Sequence, residues 1–512
     1  MSVSICSSAI VGVESVPVFA ESDIAFGLPV FNIVGLPDIA VKEARERIRS
    51  ALRHSGFDFP QTRITVNLAP ADVKKQGPLF DVPIALAILG AQGEIVASMV
   101  KDMLFIGELG LNGSVRPVRG ALAAALGAVR NHCHTIYVPE GNAPEAASVP
   151  NLTVIPVPTL RALVDHLHKK TPLPIYLPKI ETTTMNIDVE VEVGDIRGQS
   201  HAKRGLEIAA AGGHHLLFSG PPGTGKTMLA RALPGLLPPF SLAEALEATL
   251  IASVAGSLPV GSGLLQRRSF RTPHHSSSAA ALIGGGTFPR PGEASLAHRG
   301  VLFLDELPEF APIVLEQLRQ PLEDGEITVA RVGGSVRFPA RFILVAAMNP
   351  CPCGYAGDPK RVCICSPKRA AAYRRRISGP LLDRFDLSIH VPNPEPAALV
   401  HKSASTPETS TQVRERVCCA RARQLHRFVG TTYAANADIP ASKLDAWCLP
   451  DEAGRNLAER ALQSGKLSAR GYARLRKVAR TIADLENSEE IKEAHLAEAL
   501  QYRLPQQSSF TV

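Results

Sequence analysis

The segment Gly220–Thr227 reads GPPGTGKT, and it constrains this chain more than any other stretch of its sequence. It fits the pattern G-x-x-x-x-G-K-[ST] at every specified position. The apolar run Leu216–Phe218 precedes it, and the helix-favouring run Met228–Leu233 follows it. A glycine-rich turn between a strand and a helix directs backbone N–H groups at phosphate oxygens, and the helix amino terminus adds positive potential. The sequence therefore predicts a phosphate-binding loop in a parallel α/β sheet.

Two carboxylates follow a second apolar run. Lys226 is expected to contact the β- and γ-phosphates, and Thr227 to ligate Mg²⁺. The run Val301–Leu304 is apolar throughout and ends in Asp305 and Glu306. A buried strand with two carboxylates at its end fits Mg²⁺ binding by Asp305 and activation of water by Glu306, which a solvated acidic turn would not explain. ATP and Mg²⁺ are the expected cofactors, and the expected nucleotide-binding loop comprises Gly220, Pro221, Pro222, Gly223, Thr224, Gly225, Lys226 and Thr227.

A third apolar run, Phe342–Met348, ends in Asn349. A polar side chain at the tip of a strand beside the phosphate loop is placed to orient the attacking water. The alternative is a turn residue before Pro350. Asn349 follows the other two motifs along the chain, and this position favours a catalytic role.

The length of 512 residues exceeds what one hydrophobic core supports and indicates about three domains. Strand patterns alternate with helical ones in the middle of the chain, which predicts a parallel sheet in αβα layers. The expected divisions are a first domain at 1–168, a Pro-rich linker at 169–194, the nucleotide-binding core at 195–396, and a helical lid with a tail at 397–512.

Bulk properties limit the class of protein. The sequence has no run of 18 apolar residues and no signal-like start, so a cytoplasmic protein without a membrane partner is expected. The net charge of +7 is only a weak indication of nucleic-acid binding. Nine cysteines, an odd number, indicate reduced thiols rather than a disulfide framework.

With Ser378–Asp386, the three nucleotide motifs resemble those of AAA+ ATPases of the magnesium-chelatase branch, which is MCM-like. Further similarity lies in Val66–Asp72, Arg271–Ser276 and Ser468–Tyr472, and it runs from Met1 to Arg503. The chain resembles the ComM/YifB family of Mg-chelatase-like ATPases. The resemblance implies an AAA+ P-loop αβα sandwich with a helical lid.

The resemblance also implies roles for residues beyond the loop. Arg384 corresponds to the arginine finger, which reaches the γ-phosphate of a neighbouring subunit, so that the working state is a ring, a homohexamer. Its alternative is a surface ion pair with Asp383 or Asp386. Arg470 resembles the sensor-2 arginine, with Arg474 one turn on as the substitute. Another segment, 195–199, resembles the one that lines the adenine pocket.

Two β-patterned arms around Gly333-Gly334 predict a hairpin. In the resembled branch such a hairpin projects into the ring channel and touches DNA. Arg331 and Arg337 are therefore candidate contacts to phosphates, without sequence specificity. An ordinary solvated hairpin is the alternative. The segment 255–297 is interpreted as an insertion of the same kind, and it includes Arg267, Arg268 and Arg271. Its two histidines are interpreted as polar turn residues rather than metal ligands, and they are His274 and His275.

The first segment resembles the Lon protease domain, which implies an α+β, S5-like fold. A Ser–Lys dyad needs a hydroxyl and an amine. The corresponding positions of this chain are Leu79 and, at or near the lysine position, Leu122. Ser114 and Lys74-Lys75 lie nearby but off the motif. We expect a non-proteolytic scaffold for ring assembly or DNA contact.

Four cysteines form two C-x-C pairs: Cys351, Cys353, Cys363 and Cys365. In an extended segment residues i and i+2 point the same way, so each pair offers two sulfurs to one ion. Four thiolates suit tetrahedral Zn²⁺, although this spacing is not the common C-x₂-C. Structural zinc is the expectation, and unliganded thiols are the alternative.

These features together favour a ring ATPase that moves along DNA. The resembled activity is helicase action and branch migration on recombination intermediates during natural transformation. A chelatase-type ATPase that remodels a protein partner is the nearest rival, because both classes share the core. An ATP-dependent protease is disfavoured by Leu79 and Leu122.

Overall fold

The computed structural model describes residues 3–177, 190–286, 289–331, 334–358, 361–394, 407–465 and 467–503. Its strands, in chain order, are β1 (Ser4–Val11), β2 (Glu14–Ala25), β3 (Val30–Val34), β4 (Arg63–Ala69), β5 (Met103–Phe105), β6 (Glu108–Leu109), β7 (Val115–Arg116), β8 (Thr135–Pro139), β9 (Thr153–Val157), β10 (Leu216–Ser219), β11 (Phe270–Arg271), β12 (Gly284–Gly285), β13 (Arg290–Pro291), β14 (Val301–Leu304), β15 (Glu326–Arg331), β16 (Gly334–Pro339), β17 (Ile343–Met348) and β18 (Leu387–His390).

The α-helices among the described residues are α1 (Ile39–His54), α2 (Asp81–Ala91), α3 (Ala121–Arg130), α4 (Ala143–Ala146), α5 (Leu160–Leu167), α6 (Ser200–Gly212), α7 (Lys226–Leu236), α8 (Leu242–Ala255), α9 (Ala279–Ile283), α10 (Glu293–Leu296), α11 (Pro312–Glu316), α12 (Arg319–Asp324), α13 (Pro367–Arg375), α14 (Gly379–Leu382), α15 (Ser410–Arg427), α16 (Leu444–Trp447), α17 (Glu452–Gln463), α18 (Ala469–Leu485) and α19 (Glu493–Gln501). Across the described ranges, none of these helices has both the length and the hydropathy needed to cross a bilayer.

A five-stranded sheet in the order β11-β14-β17-β10-β18 positions the nucleotide motifs. All four of its strand pairings are parallel. Its three central strands, β14, β17 and β10, are almost entirely apolar because helices cover both faces of such a sheet. Since parallel strands end at the same edge, the residues that follow β10, β14 and β17 are brought together there. The predicted parallel α/β sheet is confirmed.

The first part of the chain has its own apolar core, drawn from residues 3–167. A four-stranded sheet in the order β1-β2-β4-β3 packs against α2, of which Asp81–Gly90 are all buried, and a parallel sheet in the order β5-β8-β9 belongs to the same core. Leu246 and Leu250 of α8 pack against this core, and the Gly120 N–H donates to the Ser253 carbonyl over 3.1 Å. Helix α8 therefore joins the first part of the chain to the nucleotide-binding core.

The carboxy-terminal helices pack on one face of the central sheet through α6. A single apolar core includes Phe218 of β10, Val417 of α15 and Ile482 of α18. The predicted helical region after the sheet is confirmed for the described residues. The predicted linker lies partly outside them, at 178–189, as does the tail at 504–512.

Candidate nucleotide site and cysteine cluster

The phosphate loop connects β10 to α7, and three of its glycines are needed for its path. A Cβ on Gly220 would lie 2.2 Å from the carbonyl oxygen of Val391, so only glycine allows this approach to β18. Gly223 and Gly225 have φ angles of +79° and +89°, in the region that L-residues rarely adopt. The Thr224 hydroxyl donates to the Pro221 carbonyl over 3.0 Å. The loop thus has the backbone conformation that its glycine spacing predicts.

Lys226 begins α7 and connects the loop to the end of β17, the strand that neighbours β10 in the sheet. Its Nζ donates to the carbonyl oxygens of Gly220 over 2.8 Å and Pro221 over 2.7 Å, and to Oδ1 of Asn349 over 3.2 Å. Burial lowers the pKa of the Lys226 ammonium, against the opposing effect of Asp305. The structure therefore brings Asn349, at the end of β17, to the lysine of the loop.

Asp305 and Glu306 follow β14 on the other side of β17 from the loop strand. The Thr227 hydroxyl donates to Oδ2 of Asp305 over 2.9 Å, so two oxygens of the kind that Mg²⁺ prefers lie side by side. The Glu306 N–H donates to Oδ1 of Asp305 over 2.9 Å, and Glu306 itself has a φ of +50°. This backbone turn separates the two carboxylates and leaves the Glu306 side chain half-exposed.

His275 faces the Glu306 carboxylate, a contact that the sequence analysis did not predict. Its Nδ1 lies 3.7 Å from Oε2 of Glu306, and its ring meets Phe310 edge-on with the centroids 6.5 Å apart. His274 instead forms a hydrogen bond of 2.8 Å between its Nδ1 and Oγ of Ser276. The sheet topology could have indicated this contact between His275 and Glu306. Strand β11 is parallel to β14, so the residues after both strands meet at one edge of the sheet.

Arg384 takes part in a different set of contacts from Lys226. Its guanidinium pairs with Glu323, which was neither of the partners proposed as its alternative. Burial lowers the pKa of Arg384, and the nearby cations Arg474, Arg319 and Arg470 lower it further. Arg470 is exposed in the first turn of α18. Arg470 therefore lies close enough to Arg384 for its charge to lower the pKa of Arg384.

Asp386 joins the sheet to the lid. Its Oδ2 lies 3.3 Å from Nδ1 of His214, whose Nε2 is hydrogen-bonded with Oγ1 of Thr481 in α18 over 2.8 Å. Nε of Arg474 lies 3.8 Å from Oδ1 of Asp386. Burial alone would raise the pKa of Asp386, but His214, His215 and Arg474 hold it well below its usual range. Arg474 thus contributes to this buried network, while Arg470 stays exposed.

The predicted adenine-side segment ends in Gln199, immediately before α6. Gln199 has a φ of +56°, and its Nε2 donates to the carbonyl oxygen of Pro392 over 2.8 Å. Pro392 follows β18, the strand beside β10. The segment therefore borders the same edge of the sheet as the phosphate loop.

Three family models match successive parts of this chain. Residues 192–399 match the model described as magnesium chelatase, subunit ChlI. Residues 20–142 match subunit ChlI of Mg-chelatase, and residues 407–503 match the carboxy-terminal part of the same subunit.

Relatives match nearly the whole chain. It is 45% identical to Competence protein ComM of Haemophilus influenzae over 97% of this chain and 96% of that protein. It is 43% identical to the YifB protein of Escherichia coli, with 98% of this chain and 97% of that one covered. The chain belongs to the ComM/YifB family.

Membership of this Mg-chelatase-like family makes the chain an AAA+ ATPase and implies ATP and Mg²⁺. More distantly, it is 26% identical to the magnesium-chelatase 38 kDa subunit of Acidiphilium rubrum, over 60% of this chain and 89% of that subunit.

The four cysteines of this ComM/YifB-family chain come together. The sulfur of Cys351 lies 3.3 Å from that of Cys353 and 3.6 Å from that of Cys363, and Cys353 and Cys363 are 3.5 Å apart. All four sulfurs, including that of Cys365, lie within 4.8 Å of one another. A tetrahedral ion bound at about 2.3 Å to each sulfur separates them by about 3.8 Å, so the set fits Zn²⁺.

The predicted hairpin is present as β15 and β16, which pair in antiparallel register from Glu326 opposite Pro339 to Arg331 opposite Gly334. Arg337 is 72% exposed, with its NH1 3.6 Å from Oε1 of Glu326. The backbone of Arg331 ends β15, and its side chain lies outside the described residues, as does Gly333 at the tip. Arg337 is thus available to a ligand.

Two arginines of the 255–297 segment make contacts within the fold. Arg268 donates to the carbonyl oxygens of Pro238 and Arg299, each over 2.7 Å, and to Glu244. Arg271 forms a two-pronged ion pair with Glu293 over 2.7 and 2.8 Å. Both guanidiniums are engaged inside the fold, and a part for the 255–297 segment in contacting DNA remains a prediction.

The residues at the two protease positions are buried and apolar. Leu79 and Leu122 are 7% and 0% exposed. Nearby, the Ser114 hydroxyl donates to Asn112 over 2.7 Å, and the buried Lys75 ammonium donates to the Pro70 carbonyl. Ser114 and Lys75 are thus engaged separately. The likeness to Lon itself remains a prediction.

Proposed function

We propose that this chain forms a homohexameric ring that couples ATP hydrolysis to movement along DNA, as a cytoplasmic helicase that drives branch migration. One observation carries the proposal. The hairpin β15–β16 leads directly into β17, and the far end of β17 carries Asn349, which contacts Lys226. A buried six-residue strand therefore connects the candidate DNA contact to the phosphate loop.

Hydrolysis is assigned to residues at the carboxyl edge of the sheet. Lys226 binds the β- and γ-phosphates, and Thr227 with Asp305 holds Mg²⁺, which neutralises phosphate charge when bound. Glu306 takes a proton from the attacking water, and Asn349 orients that water. These roles fit the contacts among Lys226, Asn349, Thr227 and Asp305.

Arg384 is assigned to the neighbouring subunit's nucleotide. It belongs to a cluster of cations, with Arg319, Arg470 and Arg474, that depresses its pKa. Such a cluster is stabilised by a polyanion, and a triphosphate held by the next subunit supplies one. We assign Arg470 to the same phosphates, and the ring follows from this shared site.

The hairpin is assigned to DNA phosphates through Arg331 and Arg337. Arg337 is 72% exposed, and an exposed guanidinium on a two-stranded arm gives affinity without sequence specificity, as movement along DNA requires. The name of the relative ComM, a competence protein, supports recombination during natural transformation as the setting. The cysteine cluster is assigned to structural Zn²⁺ on the fit of its four sulfurs.

The test is ATPase activity with no DNA, with single-stranded DNA and with forked DNA, followed by strand displacement on a four-way junction. We expect stimulation by DNA and ATP-dependent displacement. ATPase activity that DNA leaves unchanged, with no displacement, would contradict the proposal. That result would favour the alternative function, a chelatase-type ATPase that remodels a protein partner. The similarity to the magnesium-chelatase subunit supports this alternative.

A further inference from the structure

The loop between the four cysteines starts at the catalytic asparagine. Cys351 follows Asn349 by two residues, and Asn349 contacts Lys226 over 3.2 Å. Cys351 is buried, whereas most of the loop is not. Only Pro350 therefore separates the buried Cys351 from Asn349 along the chain.

The same loop also touches the phosphate loop directly. A Cβ on Gly354 would lie 2.6 Å from Cδ and 3.2 Å from Cγ of Pro222. Pro222 belongs to Gly220–Thr227, so Gly354 packs against the backbone turn that is to hold the phosphates. The absence of a side chain at Gly354 is what allows this approach.

A third contact lies on the adenine side. Nδ2 of Asn393 donates to Oδ2 of Asp358 over 2.9 Å, and the preceding residue, Pro392, accepts from Gln199. The cysteine loop thus contacts the site at the asparagine, at the phosphate loop and beside the adenine segment.

We propose that the metal-bound cysteine loop positions the phosphate loop and Asn349, so that loss of the metal weakens nucleotide binding and slows hydrolysis while the sheet stays folded. This inference rests on the proposed zinc site. The positioning residues of this loop are Gly354, Cys351 and Cys353. They act through Pro222 and Asn349.

The loop depends on the metal because it has little packing of its own. Val362 and Ile364 are 90% and 89% exposed, and Gly354 and Gly357 both adopt positive φ angles. A segment with so few buried apolar groups is not fixed by hydrophobic contacts. Metal–thiolate bonds supply the constraint instead, because a bound structural ion contributes folding free energy directly.

Two glycines of the loop provide a matched pair of variants. Gly354 and Gly357 have φ angles of +87° and +79°, so alanine strains the backbone similarly at both. Only at Gly354 does the added Cβ meet Pro222, since nothing lies within 4 Å of a Cβ at Gly357. We expect G354A to raise the Kd of a fluorescent ATP analogue and to lower kcat, each by about tenfold or more, and G357A to change neither by more than about twofold. Equal behaviour of the two variants would overturn the proposal.

The metal is tested with the full-length protein and C363S, which removes a ligand far in sequence from Asn349. C419S alters an exposed cysteine of α15 and serves as the control. Zinc content, far-ultraviolet circular dichroism and equilibrium binding of the same nucleotide analogue are measured without DNA. We expect C363S to lose zinc and bind nucleotide about tenfold more weakly with its helical signal retained.

Zinc-free C363S that binds nucleotide like the wild type, or wild-type protein purified without zinc, would overturn the proposal. If C363S unfolds, the glycine pair still tests whether the cysteine loop positions the phosphate loop. Because neither test uses DNA, failure of DNA stimulation would leave this inference standing, and its own failure would leave the DNA motor standing.

Discussion

Glu306 has a neighbour that can control its carboxylate. Nδ1 of His275 lies 3.7 Å from Oε2 of Glu306, and the ring of His275 is placed against Phe310. A general base works only when it is held in reach of its water, so loss of this neighbour is expected to slow hydrolysis rather than substrate binding. We expect H275A to lower kcat of the ATPase by about tenfold with KM nearly unchanged.

His274 offers the matched control for this variant. Its ring stacks near that of His275, with the centroids 4.1 Å apart, but its Nδ1 is hydrogen-bonded with Ser276. H274A is expected to keep kcat within about twofold of the wild type, since removal of an exposed turn contact has small effects. A fall in KM and kcat together, or equal losses in both variants, would contradict a positioning role for His275.

At the scale of elements, the hairpin β15–β16 predicts a particular dependence of DNA binding on salt. Each phosphate contact releases counterions, so removing one lysine or arginine contact lowers the slope of log K against log salt by about one. We expect R337A to weaken binding of unrelated single-stranded sequences to the same extent and to reduce this slope. Fluorescence anisotropy titrations from 50 to about 200 mM salt measure both.

Arg460 on α17 is the control for the hairpin variant. Arg337 and Arg460 are 72% and 69% exposed, and each lies near one glutamate, at 3.6 and 3.9 Å respectively. R460A is expected to leave the salt slope unchanged. An unchanged slope in R337A would show that this arm does not contact DNA phosphates.

The junction between the sheet and the lid predicts a dependence of stability on pH. Burial lowers the pKa of His215 to about 4. The folded protein therefore keeps this imidazole neutral down to pH 4, whereas the unfolded chain protonates it near pH 6.5. Because the unfolded state binds more protons in that window, the free energy of unfolding should fall by about 2 kcal/mol from pH 7 to pH 5 through this group.

The variant H215N isolates that contribution. Nδ1 of His215 accepts from the Leu344 N–H over 3.0 Å, and an asparagine oxygen can replace it as acceptor without titrating. Urea unfolding at pH 7, 6 and 5 should show a shallower loss of stability in H215N than in the wild type. Parallel pH profiles would rule out His215 as the titrating group.

The elements were more predictable than the partners of their side chains. β14 was predicted residue for residue, and β10 and β17 to within two residues, because buried parallel strands are continuous apolar runs bounded by polar residues. The ion pairs of Arg268 and Arg384 were not predicted. Their acidic partners lie 24 and 61 positions away along the chain, a separation that no local pattern encodes.

At the scale of the whole molecule, the decisive question is whether one nucleotide site takes residues from two subunits. Lys226, Thr227, Asp305 and Asn349 contact one another within one chain, with Glu306 beside them, while Arg384 lies among other arginines and pairs with Glu323. A shared site has a consequence that a self-contained site lacks. Two variants that are each inactive can restore activity when they are mixed.

Under the proposed assignments, E306Q loses the general base of its own site but keeps Arg384 for its neighbour, and R384A has the opposite defect. Each alone is expected to lose ATPase activity by about a hundredfold or more. In an equal mixture with exchanging subunits, roughly a quarter of the interfaces join an intact Glu306 to an intact Arg384, so a corresponding fraction of activity should return. A mixture of E306Q with K226A, both defective on the same side of the interface, should stay inactive. If the first mixture also stays inactive while gel filtration shows mixed rings, Arg384 acts within its own chain and the shared site is refuted.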